Sequence, residues 1–337
     1  MTLKLGSSYF GNRILRHVET DMKQLVDMGC NLVVHMMSEN DFRFYYKQIC
    51  EIVQLSQSLG LETYIDPWGV GKIFGGEAFS EYITYNPNTR QVLSDGSTGP
   101  LACLNHPEFQ AFMAEWVDGA LDTGADLLFW DEPHFYIPSW ALRSDDAWGC
   151  RCKYCQKKFE QQYGKPMPEQ PTEEVAEFKD NCVMEFLGRY TTKVSEAGRK
   201  NSVCFFPAAD PGNGKIDWDK IKQVANVHEF GTDPYWIHGD NSLRVEDFVG
   251  DCSREAKRVC DEMGIRCQIW IQGFKIPEGR EEEVRTAIRT ALDCGVRNLA
   301  VWGFDACSHI TSIAPDNPEK VWSIIQEEFR AAREKYG

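Results

Sequence analysis

The sequence predicts a single (β/α)8 barrel that spans residues 1–337. Three observations favour this fold. Eight short β-rich runs alternate with longer amphipathic segments, five of these runs follow the same kind of glycine turn, and no Ser/Gly run or charge block marks a linker between domains. A doubly wound open sheet is the alternative, but no G-x-G-x-x-G motif follows the first β-rich run to support a dinucleotide-binding fold.

The predicted strands are short runs bounded by turn residues. They lie at 3–8, 31–36, 62–66, 126–131, 202–206, 227–233, 266–272 and 297–304. The helices between them should each bury one apolar stripe against the sheet. Three such stripes are Phe109, Met113, Trp116 and Ala120; Val284, Ile288 and Leu292; and Val321, Ile325 and Phe329. A glycine is expected to stop the preceding helix at Gly29, Gly60, Gly124, Gly264 and Gly295.

Two long connections follow the third and fourth predicted strands, at residues 67–105 and 133–159. Barrel enzymes build their sites from the loops at the carboxyl ends of the strands. The first connection is rich in Gly, Tyr, Asn and Ser, and we expect it to act as a lid. The second is expected to bind zinc.

Polar and aromatic side chains concentrate where the predicted strands end. These residues are His35, Asp66, Trp68, Trp130, Asp131, Glu132, His134, Asp233, Tyr235, Trp236, Trp270, Gln272, Trp302, Phe304 and Asp305. In a barrel they would meet at one mouth, where clustered carboxylates shift one another's pKa so that one is protonated while another is ionised. Aromatic faces stack on pyranose rings, so an acidic and aromatic mouth without a phosphate-binding loop favours a neutral polyol substrate.

Each of these residues also has a purely structural interpretation. Asp66 and Asp233 both precede proline and are equally typical of turns. His35 is more typical of a structural or subsite residue than of a base, and Trp130 and Trp302 are also typical of barrel filling. Glu132 differs, because a Glu directly after an apolar strand and before Pro133 makes a poor helix cap. We therefore expect Glu132 to be functional.

Three cysteines, Cys150, Cys152 and Cys155, follow the fourth predicted strand at C-x-C-x2-C spacing. Thiolates at this spacing bind one tetrahedral zinc, with Cys103 as the expected fourth ligand and His106 in reserve. The alternative is a set of reduced cysteines without metal. A radical iron–sulfur site would need a different spacing, C-x3-C-x2-C.

The net charge of −15, with no basic stripe, argues against a nucleic-acid partner. The first residues lack a signal-peptide pattern, and no run of residues has the length and apolarity of a membrane span. Thirteen scattered cysteines favour a reducing compartment, so we expect a cytoplasmic protein. The expected partner is a carbohydrate substrate, and we expect no association with a membrane. A homo-oligomer is possible on the sequence alone.

Two motifs resemble the fourth-strand region of clan A glycoside hydrolases, and most closely the family 42 β-galactosidases. The first is Trp130-Asp131-Glu132-Pro133, followed by Gly149-Cys150-Arg151-Cys152-Lys153-Tyr154-Cys155-Gln156 and Phe159; the second is Cys103-Leu104-Asn105-His106-Pro107. The resemblance covers residues 103–159. It implies a retaining glycosidase barrel with Glu132 as acid/base and a structural zinc on Cys103, Cys150, Cys152 and Cys155.

The sequence departs from this family at two catalytic positions. Asp131 stands where the family has Asn, and the seventh strand ends at Gln272 where the clan has its nucleophilic Glu; Glu278 lies six residues further on. Asp233 is one candidate for the missing carboxylate, with Asp131 attacking and Asp233 donating the proton. Alternatively Glu132 acts with Asp233 or Asp305 across a water, which would give inversion.

The predicted function is hydrolysis of a glycosidic bond in a small oligosaccharide or glycoside. Glu132 would be the acid/base and Asp131 or Asp233 the second carboxylate. Trp68, Trp236, Trp270 and Trp302 would bind sugar rings, and His35, Asp66, His134, Tyr235, Gln272 and Asp305 would contact substrate. Two alternatives remain: a metal-dependent barrel isomerase or hydrolase with His35, His134, Asp233 and Asp305 as ligands, or a barrel that binds sugar without cleaving it.

Overall fold

The computed structural model describes residues 2–138, 147–207, 216–238 and 241–337. Eight parallel strands close into a barrel in sequence order, with the last strand paired to the first. The strands are β1 (Lys4–Tyr9), β2 (Leu32–Met36), β3 (Glu62–Asp66), β4 (Leu127–Asp131), β5 (Lys200–Phe205), β6 (Glu229–Thr232), β7 (Arg266–Gln272) and β8 (Asn298–Trp302). The predicted (β/α)8 barrel is confirmed, and each predicted strand is present with its bounds shifted by two residues or fewer.

Helices cover the outside of the barrel. They are α1 (Leu15–Asp27), α2 (Glu39–Phe44), α3 (Tyr46–Ser58), α4 (Tyr82–Tyr85), α5 (Pro107–Asp122), α6 (Lys153–Tyr163), α7 (Glu173–Glu196), α8 (Val245–Met263), α9 (Glu282–Asp293) and α10 (Pro318–Tyr336). The three predicted apolar stripes on α5, α9 and α10 are buried. All five predicted stop glycines adopt positive φ, the conformation in which a residue without Cβ is least strained. None of the described helices is long and apolar enough to cross a membrane.

Alternate residues of the strands point into the barrel. On β2, Leu32 and Val34 lie in the interior cluster together with Tyr64, whereas Val33 packs outward against the helices. On β3, Asp66 follows Tyr64 by two residues and therefore shares its interior side. This alternation decides which strand-end side chains reach the mouth.

A polar network closes the amino end of the barrel. The buried carboxylate of Glu229 accepts hydrogen bonds from Tyr64 Oη at 2.9 Å and Asn298 Nδ2 at 3.1 Å, and it pairs with Arg266 at 2.6 Å. Because these groups fill the amino end, the open end lies at the carboxyl ends of the strands.

The segment after β3, predicted as a lid, is folded and anchored to α2. The buried carboxylate of Glu39 accepts hydrogen bonds from Gly71 N at 2.7 Å, Ser80 Oγ at 2.7 Å and Tyr82 N at 2.6 Å. Further along this segment, Arg90–Val92 pairs with Thr98–Ala102 in a small antiparallel sheet. These contacts hold the segment against the barrel mouth.

Candidate active site

Four carboxylates converge at the carboxyl end of the barrel. Asp66 ends β3, Asp131 ends β4, Glu132 follows it and Asp233 follows β6. All four influence the thiol of Cys204 on β5, whose pKa is raised well above its usual value by burial and then by the neighbouring charges of Asp233, Asp131, Glu132 and Asp66. The structure therefore brings together the carboxylates that the sequence placed at the mouth.

Asp131 and Glu132 meet over one backbone position, Gly75, in the segment after β3. A Cβ at Gly75 would lie 2.4 Å from Asp131 Oδ2 and 3.0 Å from Glu132 Oε2. These two oxygens are therefore no farther apart than the sum of the two distances, about 5.4 Å. The Gly75 N–H donates to the Asp131 carbonyl at 3.1 Å, which holds the glycine against the end of β4. Only a residue without a side chain leaves room for both carboxylates here.

Glu132 leaves the strand in a left-handed backbone conformation, with φ of 49°. This region is uncommon for residues other than glycine, and it costs on the order of 1–3 kcal/mol. The Glu132 N–H donates to the Cys204 carbonyl at 3.0 Å, so the neighbouring strand β5 supports the turn. The side chain is buried. Backbone strain of this kind concentrates at functional sites.

Asp66 is fully buried, with 0% of its surface exposed, and neither carboxylate oxygen has a hydrogen-bond partner among the described residues. Burial raises its pKa well above the usual value, and the charges of Asp131 and Glu77 raise it further. Asp131 is half-buried, and its pKa is raised to about 7, by desolvation first and by Glu77 second. Both carboxyl groups therefore hold protons more tightly than an exposed aspartate does.

Asp233 follows β6 and lies beside the end of β5. Its carboxylate is buried, and Oδ1 is 4.0 Å from Cys204 Sγ. The pKa of the Tyr235 phenol is raised well above the usual value by burial and then by the charges of Asp233, Asp131, Cys204 and Glu132. Tyr235 packs edge-on against Phe274 at 5.0 Å. Asp233 is therefore separated from the β4 carboxylates by one strand, β5.

Aromatic rings form one wall of the mouth. Phe10, which follows β1, stacks on Trp302 at 5.2 Å and packs on Trp68 at 5.0 Å. Trp68 is half-buried, and its indole nitrogen is buried. Trp270 lies deeper, 2% exposed, with its indole N–H bonded to Gln268 Oε1 at 3.1 Å. Trp270 therefore fills the barrel instead of offering an open face to a sugar.

Two residues predicted to contact substrate point away from the mouth. His35 faces outward, where its Nε2 is 2.9 Å from Ser56 Oγ of α3 and burial lowers its pKa to about 3. Trp236 is also fully buried on the outer side, and its indole N–H donates to Glu283 Oε2 of α9 at 2.8 Å. The prediction of substrate contact is corrected for both residues, because strand alternation and the path of the loop turn them toward the helices.

Three further predicted contacts are engaged in local structure. Gln272 bonds the backbone of Ile237 through both amide atoms, each at 3.1 Å. His134 Nδ1 is 2.7 Å from the Glu132 carbonyl, and burial lowers its pKa to about 4. The Asp305 carboxylate accepts a hydrogen bond from the Ser308 hydroxyl within its own turn. For Gln272, which is fully buried, the structural role replaces the predicted substrate contact. Asp305 is half-buried and its substrate contact stays a prediction, whereas His134 supports the turn at Glu132.

The four predicted cysteine ligands form one buried group. Their sulfur atoms all lie within 4.8 Å of one another, with Cys103 Sγ at 3.5 Å from Cys152 Sγ and 3.4 Å from Cys155 Sγ. The arrangement could hold a metal ion. Residues 139–146 of the predicted zinc-binding loop lie outside the described part of the chain. Among the described residues, this is the only group of three or more His, Cys, Asp or Glu residues whose possible ligand atoms all lie within 4.8 Å of one another.

The surroundings of the cysteines are polar and ordered. Asn105 Nδ2 lies 3.3 Å from Cys155 Sγ and 3.2 Å from Cys182 Sγ, while its Oδ1 accepts from Lys158 Nζ at 3.0 Å. His106, the reserve ligand, instead accepts from Glu108 N through Nδ1 at the start of α5. Cys103, and not His106, therefore completes the group of four side chains.

Sequence reasoning missed Phe10, Gly75, Glu77 and Cys204. Phe10 and Cys204 lie at the ends of β1 and β5. Their positions at the ends of predicted strands could therefore have indicated that they lie at the mouth. Gly75 and Glu77 lie within the long segment after β3, whose path no local pattern reveals.

No protein-family model matches the chain, and no curated protein does. Its fold is similar to solved structures that cover almost all of it. These include the catalytic domain of a β-amylase from Paenibacillus polymyxa (TM-score 0.65, 9% identity, covering 99% of this chain and 98% of that one). They also include an endo-1,4-β-mannanase from Rhizomucor miehei (TM-score 0.62, 11% identity, 99% and 95%) and a GH5_18 protein from Bifidobacterium longum subsp. longum in complex with Manβ1-4GlcNAc (TM-score 0.62, 11% identity, 99% and 78%). At these identities the similarity shows the TIM-barrel fold that the chain shares with these proteins.

Proposed function

We propose that the protein is a glycoside hydrolase in which Glu132 is the general acid/base. The observation that carries this proposal is the pair of carboxylates, Asp131 and Glu132, held over Gly75 at an acidic mouth with an aromatic wall. The shared fold of a β-amylase and a β-mannanase is consistent with it. The resemblance to the family 42 β-galactosidases supports the same role for Glu132, but the family itself remains a proposal.

Asp131 is suited to bind the substrate beside the reacting bond. With its pKa raised to about 7, the carboxyl is partly protonated near neutral pH and donates a hydrogen bond in that form. An asparagine amide, which the family 42 enzymes have at this position, would donate in the same direction. We therefore assign Asp131 to substrate binding and Asp233, beside Cys204, to the second carboxylate.

The stereochemical outcome follows from the separation of Glu132 and Asp233. Carboxyl groups roughly 5 Å apart permit a covalent intermediate and retention, whereas roughly 6.5–9.5 Å leaves space for a water and gives inversion. Nuclear magnetic resonance of the first product anomer distinguishes the two. Trp68, Trp302 and Tyr235 are proposed to contact the sugar rings.

We propose a structural zinc on Cys103, Cys150, Cys152 and Cys155. Four buried sulfurs within 4.8 Å of one another match the soft, tetrahedral ligand set that zinc prefers. Such an ion would cross-link the start of α6 to the segment before α5 and so stiffen the connection that follows Glu132. It takes no part in the proposed chemistry.

Turnover of a glycoside panel tests the proposal. Wild-type protein should cleave at least one nitrophenyl glycoside, and Glu132→Gln should lower kcat/KM by about 10²–10⁴-fold, the contribution typical of a general acid. Glu160→Gln, an exposed carboxylate on α6, is the matched control and should retain full activity. Sugar binding without turnover of any glycoside would instead identify a non-catalytic carbohydrate-binding barrel.

A further inference from the structure

We propose that the sugar unit bound at the barrel mouth carries a protonated amino group, and that Asp66 and Asp131 receive this ammonium. The inference rests on the proposed function, because it names the substrate class of the same site. It replaces the neutral polyol that composition alone favoured.

The first support is the state of Asp66. Asp66 has 0% exposure and no hydrogen-bond partner for either carboxyl oxygen within the part of the chain that the structure describes, and such a group is costly to keep in a folded protein. Its position on the interior side of β3, two residues after the buried Tyr64, directs it into the mouth. The groups that face it there are Asp131 and Glu77, with the Cys204 thiol nearby. All of these are neutral or negative, so none offers Asp66 a positive charge.

The second support is the shortage of cations around these acids. Within the described ranges, no lysine or arginine forms an ion pair with Asp66 or Asp131. Lys72 is half-buried and directs its ammonium to the carbonyls of Gly76 at 2.8 Å and Ala78 at 3.0 Å, and its charge lowers the pKa of the Glu77 carboxyl. The charge of Lys275 also lowers the pKa of the Glu77 carboxyl, and Lys275 itself is exposed to solvent. The described residues thus offer Asp66 and Asp131 no cationic partner, and a bound cation would allow both carboxyl groups to release their protons.

An ammonium suits this environment better than a hydroxyl does. It brings one positive charge and three donors, which fits the unpaired oxygens of Asp66 together with Asp131. Charge-assisted hydrogen bonds are roughly twice as strong as neutral ones. If the sugar ring packs on Trp68, its amino group lies beside the same aromatic wall, where the ring quadrupole attracts a cation. A neutral sugar hydroxyl brings no positive charge, so it would not lower the raised pKa of either carboxyl group.

Calorimetric binding distinguishes these cases. The ligands are oligosaccharides of β-1,4-linked glucosamine, their fully N-acetylated counterparts and cello-oligosaccharides of equal length, with glucosamine, galactosamine and mannosamine as monosaccharides. Each is titrated near pH 7 in phosphate and in Tris, whose different ionisation enthalpies reveal proton release. An ammonium should lower the pKa of both aspartyl groups, so its binding should release protons and tighten as the pH rises, until the amine itself loses its proton.

We expect at least one amino sugar to bind at least about tenfold more tightly than its hydroxyl and N-acetyl counterparts, with proton release. Asp66→Asn should abolish both the preference and the proton release while melting at the same or a higher temperature. If that variant does not fold, Asp131→Asn carries the same test, and Glu160→Gln is the control. Equal or tighter binding of the neutral or N-acetyl sugars overturns the inference, as does the absence of any amino-sugar binding.

The outcomes also separate this inference from the proposed function. Cleavage of neutral glycosides without a preference for amino sugars would refute the ammonium site and leave the hydrolase intact. Amino-sugar binding with proton release but no turnover of any glycoside would refute the hydrolase and leave the site intact.

Discussion

Gln272 and Ile237 form a closed pair of hydrogen bonds, in which Gln272 Oε1 accepts from the Ile237 N–H and Gln272 Nε2 donates to the Ile237 carbonyl, both at 3.1 Å. The same Nε2 donates to the Phe274 carbonyl at 3.2 Å. The end of β7 therefore stabilises the connection after β6 and holds no carboxylate. In the clan A enzymes that the sequence resembles, this position supplies the nucleophile, so the proposed hydrolase would take its second carboxylate from another strand.

This pairing predicts that Gln272→Glu creates no better enzyme. A glutamate loses both donated hydrogen bonds and buries a charge, so we expect the free energy of unfolding to fall by about 2 kcal/mol or more. Urea denaturation measures the loss, and kcat/KM should not rise. A variant that gained activity would show that Gln272 occupies the nucleophile position and that Asp233 does not supply the second carboxylate.

Gly75 gives a sharp steric prediction. The added Cβ of Gly75→Ala would lie 2.4 Å from Asp131 Oδ2, so at least that carboxylate must move. A displacement of about 1 Å at a reacting group costs on the order of 100-fold in rate, and we expect kcat/KM to fall by about that much while the protein remains folded.

The control for Gly75→Ala is Gly188→Ala on α7, where a Cβ meets nothing within 4 Å. This change should leave kcat/KM unaltered and stabilise the protein by roughly 0.5–1 kcal/mol, because glycine is costly within a helix. Equal kcat/KM for wild type and Gly75→Ala would show that the two carboxylates over Gly75 are not catalytic.

Asp131 predicts a pH dependence of stability. Its folded pKa of about 7 lies above the ordinary value of 3.8, so the folded protein holds this proton more tightly than the unfolded chain does. The contribution to stability is therefore full below about pH 4 and is lost as the pH rises through about 7.

Asp131→Asn removes this titration. Between pH 4.5 and pH 8, its free energy of unfolding should decrease less than that of wild type, as measured by urea denaturation at both values. Because Asp66 titrates in both proteins, only the difference between the two profiles is informative. Parallel profiles would mean that Asp131 is ionised at neutral pH, and the assignment as a hydrogen-bond donor would fail.

The cysteine group predicts one tightly bound zinc per chain. Elemental analysis should find it in wild type and lose it in Cys152→Ser, with a lower melting temperature because metal binding contributes to folding. Cys50→Ser, a half-exposed thiol on α3, should retain the metal. Activity that survives mild chelation agrees with a structural ion, whereas loss of activity with rescue by one particular metal would favour a metal-dependent mechanism.

The fold and the cysteine group could be predicted because both depend on patterns of residues close together in the sequence. Strand periodicity and the stop glycines predict the barrel, and C-x-C-x2-C spacing predicts three of the four clustered cysteines. The carboxylates at strand ends were also within reach, since every parallel strand ends at the same face. His35 could have been excluded, because Leu32 and Val34 point inward and the alternation turns His35 outward.

The remaining features depend on tertiary contacts. Gly75 reaches the β4 carboxylates only because the segment after β3 is anchored by Glu39 and folds back over the mouth. Trp236 turns outward because Glu283 of α9 accepts its indole N–H. Neither contact leaves a signal in the local sequence. The prediction from strand ends therefore placed Trp236 in the site and overlooked Gly75.

The dependence of kcat/KM on the leaving group in Glu132→Ala tests the central claim most directly. A general acid matters most when the departing oxygen is basic, so the variant should lose about 100-fold or more on an alkyl glycoside and less than about tenfold on the matching dinitrophenyl glycoside. The sugar is the one that wild type turns over fastest in the nitrophenyl panel. Equal losses on both substrates, or no loss on either, would contradict the assignment of Glu132 as the acid/base of this barrel.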